Sequence, residues 1–178
     1  MRTFIGIPIP EEIKKNIKFI INEIEINGIK TVKLENLHWT VRFLGDINEE
    51  QLKKVKKIMN SIEENSIEIE IGEIGTFPSS SYIKVVWIGV SKGEKEFTEF
   101  LKKINTKFSS IGKNSDIKPH ITIGRVKFVK NKKELLKKIN ETKNITIGKM
   151  KIDKIILFES NITESGAVYK EIESVKLK

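Results

Sequence analysis

The sequence predicts an α+β protein of two lobes built alike, with their sheets facing each other across a cleft. Three observations predict this. The elements read roughly β-α-β-α-β-β-α-β-α-β-β. Both histidines of the chain sit in one recurring pattern, His38-Trp39-Thr40-Val41 and His120-Ile121-Thr122-Ile123, and a helical stretch follows each. No long linker divides the halves, so two similar layers must bury their apolar faces in one molecule.

The elements follow from hydrophobic period and local punctuation. Arg2 to Ile9 is apolar and β-prone, a first strand. Pro10-Glu11-Glu12 opens a helix with proline and acids in its first turn. Ile13, Ile17, Ile20, Ile21 and Ile24 keep helical spacing, and Gly28 stops it. Leu37 to Leu44 is the strand of the first histidine, ended by Gly45-Asp46. Asn48 caps a second helix through Leu52, Val55, Ile58, Met59 and Ile62, with Gln51 placed for a capping box. Ile67 to Ile71 alternates strictly, as a half-buried strand does.

Phe77-Pro78-Ser79-Ser80-Ser81 is a turn or short loop, and Lys84 to Val90 is a strand buried on both faces. Phe97, Phe100, Leu101, Ile104 and Phe108 share one side of a helix over Glu94 to Phe108. Ile111 to Lys118 is polar and glycine-bearing, a loop. Pro119 to Val126 carries the second histidine, and a short helix covers Lys132 to Ile139. Lys151 to Phe158 and Val168 to Val175 form a terminal hairpin across Asn161 to Gly166.

Composition narrows the function. At 178 residues the chain is expected to form a single bilobal domain over residues 1–178. It has no cysteine, which excludes disulfides, zinc-cysteine sites and thiolate nucleophiles. With only two histidines, a histidine-rich metal site is not expected, and neither a metal nor another cofactor is anticipated. No apolar run approaches a membrane span, and the N-terminus lacks a basic leader before an apolar core. A cytoplasmic monomer that does not engage membranes is the expectation. The net charge of +9 favours a polyanionic partner such as RNA or DNA, although lysines such as Lys53-Lys54 and Lys137-Lys138 also read as solvated helix faces.

On a strand, residues i and i+2 share a face, so each motif offers an imidazole beside a hydroxyl. Histidine is the side chain best suited to moving protons near neutral pH. At a cyclic phosphodiester the attacking and leaving oxygens lie on opposite sides of phosphorus. His38 and His120 on opposing strands fit a base for the incoming water and an acid for the departing sugar oxygen. Thr40 and Thr122 could each hold a phosphate oxygen or orient an imidazole. Arg42, four residues after His38, falls on the same face by strand parity; Arg125, five after His120, is turned away unless a bulge at Gly124 re-aims it or the strand ends there. Lys118 and Lys84 are further cations in reach. Taken singly, either histidine reads as an ordinary structural residue, and Trp39, Phe43 and Trp87 read as core.

On these residues the chain resembles the 2H phosphoesterase superfamily, and within it the RNA 2′,3′-cyclic phosphodiesterases also called 2′-5′ RNA ligases. The resemblance runs through Arg2-Thr3-Phe4-Ile5-Gly6-Ile7, His38 to Gly45, Gly75-Thr76-Phe77-Pro78, Val86-Trp87-Ile88-Gly89 and Pro119 to Arg125, and covers nearly the whole chain. It implies antiparallel sheets with outer helices, pseudo-two-fold symmetry and an active site in the central cleft. It also implies metal-independent opening of a terminal 2′,3′-cyclic phosphate to a 2′-phosphate, with 2′-5′ ligation of RNA ends as the reverse-type reaction. His38 would be the proton donor and His120 the acceptor. Thr40 and Thr122 would bind phosphate oxygens, and Arg125 matches the family arginine. RNA with cyclic ends, tRNA fragments among them, would be the partner. One stretch departs from the pattern: where relatives carry arginines and a proline, this chain has Ser79 to Lys84, with Lys84 a partial substitute and Tyr82 able to stack on a base. Two other readings stand beside this one: an enzyme on small cyclic or 2′-5′-linked nucleotides, and an RNA-binding module without catalysis.

Overall fold

The computed structural model describes residues 1–26, 28–112, 117–128 and 130–178. They form two antiparallel sheets and four helices, in two lobes. The first sheet holds β1 (Arg2–Pro8), β3 (His38–Asp46), β8 (Lys154–Thr163) and β9 (Gly166–Lys176), in the order β3-β1-β8-β9. The second holds β2 (Ile29–Thr31), β4 (Ile67–Pro78), β5 (Ile83–Lys92), β6 (Ile121–Val126) and β7 (Gly148–Ile152), in the order β2-β6-β5-β4-β7. The helices are α1 (Glu11–Ile24), α2 (Glu49–Asn60), α3 (Glu94–Lys107) and α4 (Lys132–Thr142).

The helices form where the isoleucine and phenylalanine spacing places them. The five isoleucines of α1 are all buried, as are Phe97, Phe100, Leu101 and Ile104 of α3. Asn48 and Gln51 make the expected capping box at the start of α2, with bonds of 2.9 and 3.0 Å.

The lobes are not successive halves of the chain. Helix α1 leaves the first sheet and packs on β6 and β7 of the second, beside α4. Helix α3 leaves the second sheet and packs between β3 and β4; Phe97 meets the ring of Trp39 edge-on at 5.2 Å. The core is therefore shared.

Three expectations change. Lys151 to Phe158 is two strands: the chain crosses between sheets at Asp153, so β7 completes the second sheet and β8 enters the first. Ile152 and Ile155 flank the crossing and are both fully buried, which produces an unbroken apolar signal across a real boundary. The strand begun at Ile67 continues to Pro78, and residues 29–36 supply β2 and a 3-10 turn (Leu34–Asn36). Of the loop expected over Ile111 to Lys118, residues 113–116 lie outside the described residues; Ile111 itself is buried.

Candidate active site

The strands β3 and β6 lie against each other at the junction of the lobes. His38 opens β3, and His120 stands one residue before β6. Both line a cleft of about 690 Å³, together with Thr40, Thr122 and Arg125. The cleft wall also includes Phe4, Phe43 and Tyr169 from the first sheet and Phe77 from the second.

The two histidines are held alike. His38 Nδ1 lies 2.7 Å from the carbonyl of Asn36, and His120 Nδ1 lies 2.7 Å from the carbonyl of Lys118, each two residues upstream. A carbonyl only accepts, so Nδ1 carries the proton and donates. In the neutral ring this leaves the lone pair on Nε2. The Asn36 side chain donates in turn to the carbonyl of Ala167 on β9 at 2.7 Å, fixing the turn that fixes His38. The pairs differ in their hydroxyls. Thr40 Oγ1 lies 3.1 Å from His38 Nε2, and among the described residues no such contact joins Thr122 to His120.

Aromatic rings back both imidazoles. Phe4 lies 4.7 Å and Tyr169 5.4 Å from the ring of His38, the tyrosine edge-on. Phe77 stands edge-on to His120 at 5.0 Å and rests on Trp87 at 5.1 Å. Trp87 needs a glycine opposite: a Cβ at Gly75 would lie 2.2 Å from its ring. Burial disfavours the charged imidazolium. It pushes His38 down from 6.5 to about 4, with the neighbouring charges of His120 and Arg125 adding to the effect and the Asn36 carbonyl opposing it. His120 is lowered too, by burial first and then by Arg125 and Lys118, against the Lys118 carbonyl. Both shifts favour the neutral imidazole.

The strands share one irregularity that decides which arginine faces the cleft. Ile5 and Gly6 of β1 pair with Arg42 and Thr40, leaving Val41 as an extra, bulged residue. Val86 and Trp87 of β5 pair with Gly124 and Thr122, leaving Ile123 bulged. Each bulge lies three residues after its histidine and reverses the alternation beyond it. The carbonyl of Val41 is taken by the Asn105 side chain at 2.8 Å, and that of Ile123 by the Val32 amide at 2.9 Å.

The parity expectation for Arg42 is therefore overturned. Its side chain is 1 % exposed and turned away from the cleft, with Nε donating to the carbonyl of Ile111 at 2.8 Å and a second nitrogen donating to Asn105 Oδ1. Arg125 and Phe43, each five residues after a histidine, turn into the cleft instead. The bulge that aims Arg125 falls at Ile123, one residue before Gly124, and the strand runs on to Val126.

Other residues fall as follows. Lys118 places its ammonium 4.5 Å from the Trp87 ring centre, outside the cleft wall. Ser79, Ser80 and Ser81 form a turn, with Ser79 Oγ accepting from the Tyr82 amide at 3.1 Å. Trp39 is fully buried on the face opposite His38. Tyr169, Phe4, Arg2, Lys30 and Lys33 also line the cleft; Arg2 and Phe4 lie in the first strand of the family pattern without an expected site role, and the other three stand in no motif. The alternation of the terminal hairpin marks Tyr169 as a strand residue, but not which sheet the hairpin joins.

A cleft lined by two imidazoles, hydroxyls and a guanidinium has groups of the kind that hold an anion and exchange protons. The chain is similar to known phosphoesterases. The family model described as LigT like Phosphoesterase matches residues 7–87 and again residues 88–169. An RNA 2′,3′-cyclic phosphodiesterase of Methanocaldococcus jannaschii is 42% identical over 175 residues, covering 97% of this chain and 99% of that protein. One of Aquifex aeolicus is 33% identical over 184 residues, covering 99% and 97%. A crystal structure of E. coli LigT complexed with 3′-AMP superposes with a TM-score of 0.80 at 19% identity, covering 99% of this chain and 97% of that one.

Proposed function

The chain belongs to the LigT-like phosphoesterase family, and from that premise we propose that it is a hydrolase of RNA 2′,3′-cyclic phosphate ends. The observation that carries the reading is the matched pair of imidazoles, each fixed through Nδ1 and directed into one cleft that also holds Arg125.

In this reading the cyclic phosphate sits between His38 and His120. His120, neutral, takes a proton from a water on Nε2, and the water oxygen attacks phosphorus. The bond from phosphorus to the 3′ oxygen breaks. His38, protonated on both nitrogens, gives the Nε2 proton to that oxygen, leaving a 3′-hydroxyl and a 2′-phosphate. Thr40, already against His38 Nε2, orients the acid or holds a phosphate oxygen, and Thr122 serves the other side. Arg125 offsets the negative charge that builds on phosphorus.

Burial favours the neutral ring in both histidines, which suits His120 as the base and opposes His38 as the acid. A neutral His120 is ready as a base. His38 must gain a proton, and the anionic substrate supplies the charge that favours it, countering the burial that holds it near 4.

The test is the pH dependence of hydrolysis of a 2′,3′-cyclic oligoribonucleotide. A bell-shaped kcat profile is expected, its acid limb from the base and its alkaline limb from the acid. Turnover unaffected by His38→Ala and His120→Ala would overturn the proposal.

A further inference from the structure

Beside the cleft, on the far side of Arg125, lies a second groove of about 560 Å³ that the proposed chemistry leaves unused. Arg125 and Val85 line both spaces, so the two adjoin. The new groove is walled by Lys84, Lys127 and Lys132 with Tyr82 and Phe128, and no acidic residue lines it among the described residues. Tyr82 is 60% exposed and Phe128 51%, so both rings are open to solvent.

Backbone contacts place both rings. Ser79 Oγ holds the Tyr82 amide, Lys132 Nζ donates to the carbonyl of Ser81, and Lys84 Nζ lies 5.2 Å from the Tyr82 ring centre. Next to Phe128, the Lys127 amide donates to the carbonyl of Gly28 at 2.8 Å. Gly28 has φ +95°, and a Cβ there would lie 1.6 Å from the Phe128 carbonyl oxygen, so only glycine lets the chain carrying Phe128 pass so close.

We propose that this groove binds the nucleotides on the 5′ side of the cyclic end, making the protein selective for single-stranded RNA over a lone nucleotide. This rests on the phosphodiesterase reading, which places the terminal phosphate beside Arg125. Every upstream nucleotide brings one aromatic face and one anionic phosphate, and the groove supplies aromatic faces among cations. Bases stack on Tyr82 and Phe128 without sequence preference, while Lys84, Lys127 and Lys132 neutralise phosphates. A peptide does not repeat an anion at each unit, and a membrane surface does not enter a groove.

The test compares kcat/KM for 2′,3′-cyclic AMP with that for an oligoadenylate ending in a 2′,3′-cyclic phosphate. The unaltered protein should favour the oligomer. Tyr82→Ala combined with Phe128→Ala should lower the oligomer-to-mononucleotide ratio by about tenfold or more. Lys84→Ala combined with Lys132→Ala should flatten its salt dependence. A ratio near one, or one unchanged by these exposed substitutions, overturns the groove. Binding of an oligoadenylate with an ordinary 3′-hydroxyl, followed by fluorescence anisotropy, reads the groove without catalysis. The aromatic double variant should weaken it by a similar factor, and unchanged binding overturns the proposal. Absence of turnover on either substrate counts against the phosphodiesterase reading instead.

Discussion

Arg42 donates a hydrogen bond to Oδ1 of Asn105 in the core, and Asn105 donates to the carbonyl of Val41, the bulged residue of the His38 strand. One buried amide thus holds both the bulge and the arginine that the bulge turns away from the cleft.

Arg42 is accordingly expected to matter for stability. Arg42→Met keeps apolar bulk but leaves Asn105 Oδ1 and the Ile111 carbonyl without this donor. The cost should be about 2 to 4 kcal/mol in urea denaturation, while kcat of the folded variant stays within a few-fold.

Arg125 should behave in the opposite way. Arg125→Ala should leave stability nearly unchanged and lower kcat/KM roughly 10²- to 10³-fold. Arg125→Lys should restore only part of this, because a point charge does not reproduce a planar fork. Phe43→Ala, at the matching place in the other strand, removes no charge and should have the smaller effect on the same steady-state measurement.

The contrast between these arginines shows how far residue patterns reach. The pairing of two His-x-Thr strands across a cleft was readable because period-2 alternation holds from His38 to Thr40 and from His120 to Thr122. It fails one residue later, where Val41 and Ile123 bulge. A bulge is set by tertiary partners, here the Asn105 side chain and the Val32 amide. Neither lies near its bulge in sequence, so parity alone misplaced Arg42. Tyr169 escaped notice for a similar reason: its place beside His38 depends on β8 and β9 rejoining the first sheet, and the apolar run across Asp153 conceals that crossing. Helices α1 to α3 were legible because apolar spacing is local, as is the capping box that opens α2.

The burial of His38 predicts a sign for pH-dependent stability. Its pKa is lowered in the fold, from 6.5 to about 4, so below pH 6.5 the unfolded chain takes up a proton that the folded chain refuses. This contribution is intact above pH 6.5, is lost as pH falls towards 4 and is constant below that. The loss is on the order of 3 kcal/mol. His38→Gln should therefore make stability less steep between pH 6.5 and 4, measured as the difference between the two proteins. In NMR titrations the His38 ring should stay neutral well below pH 6.5 in the free protein, and its midpoint should rise when inorganic phosphate fills the cleft.

The backing of His120 can be disturbed from a distance. In Gly75→Ala the new methyl must displace the Trp87 ring, which supports Phe77 against His120. Overpacking of this kind costs about 1 to 3 kcal/mol, and kcat should fall with it. Adding Trp87→Phe, which makes room for the methyl, should recover part of both losses.

The central claim is that two histidines open a cyclic phosphate by proton transfer alone. It is tested most directly by incubating an oligoribonucleotide ending in a 2′,3′-cyclic phosphate with the protein in EDTA and identifying the terminus formed. The expected result is conversion to a 2′-phosphate at an undiminished rate, lowered about 10²- to 10⁴-fold by either His38→Ala or His120→Ala. Loss of turnover in EDTA, or full turnover by either variant, would contradict it.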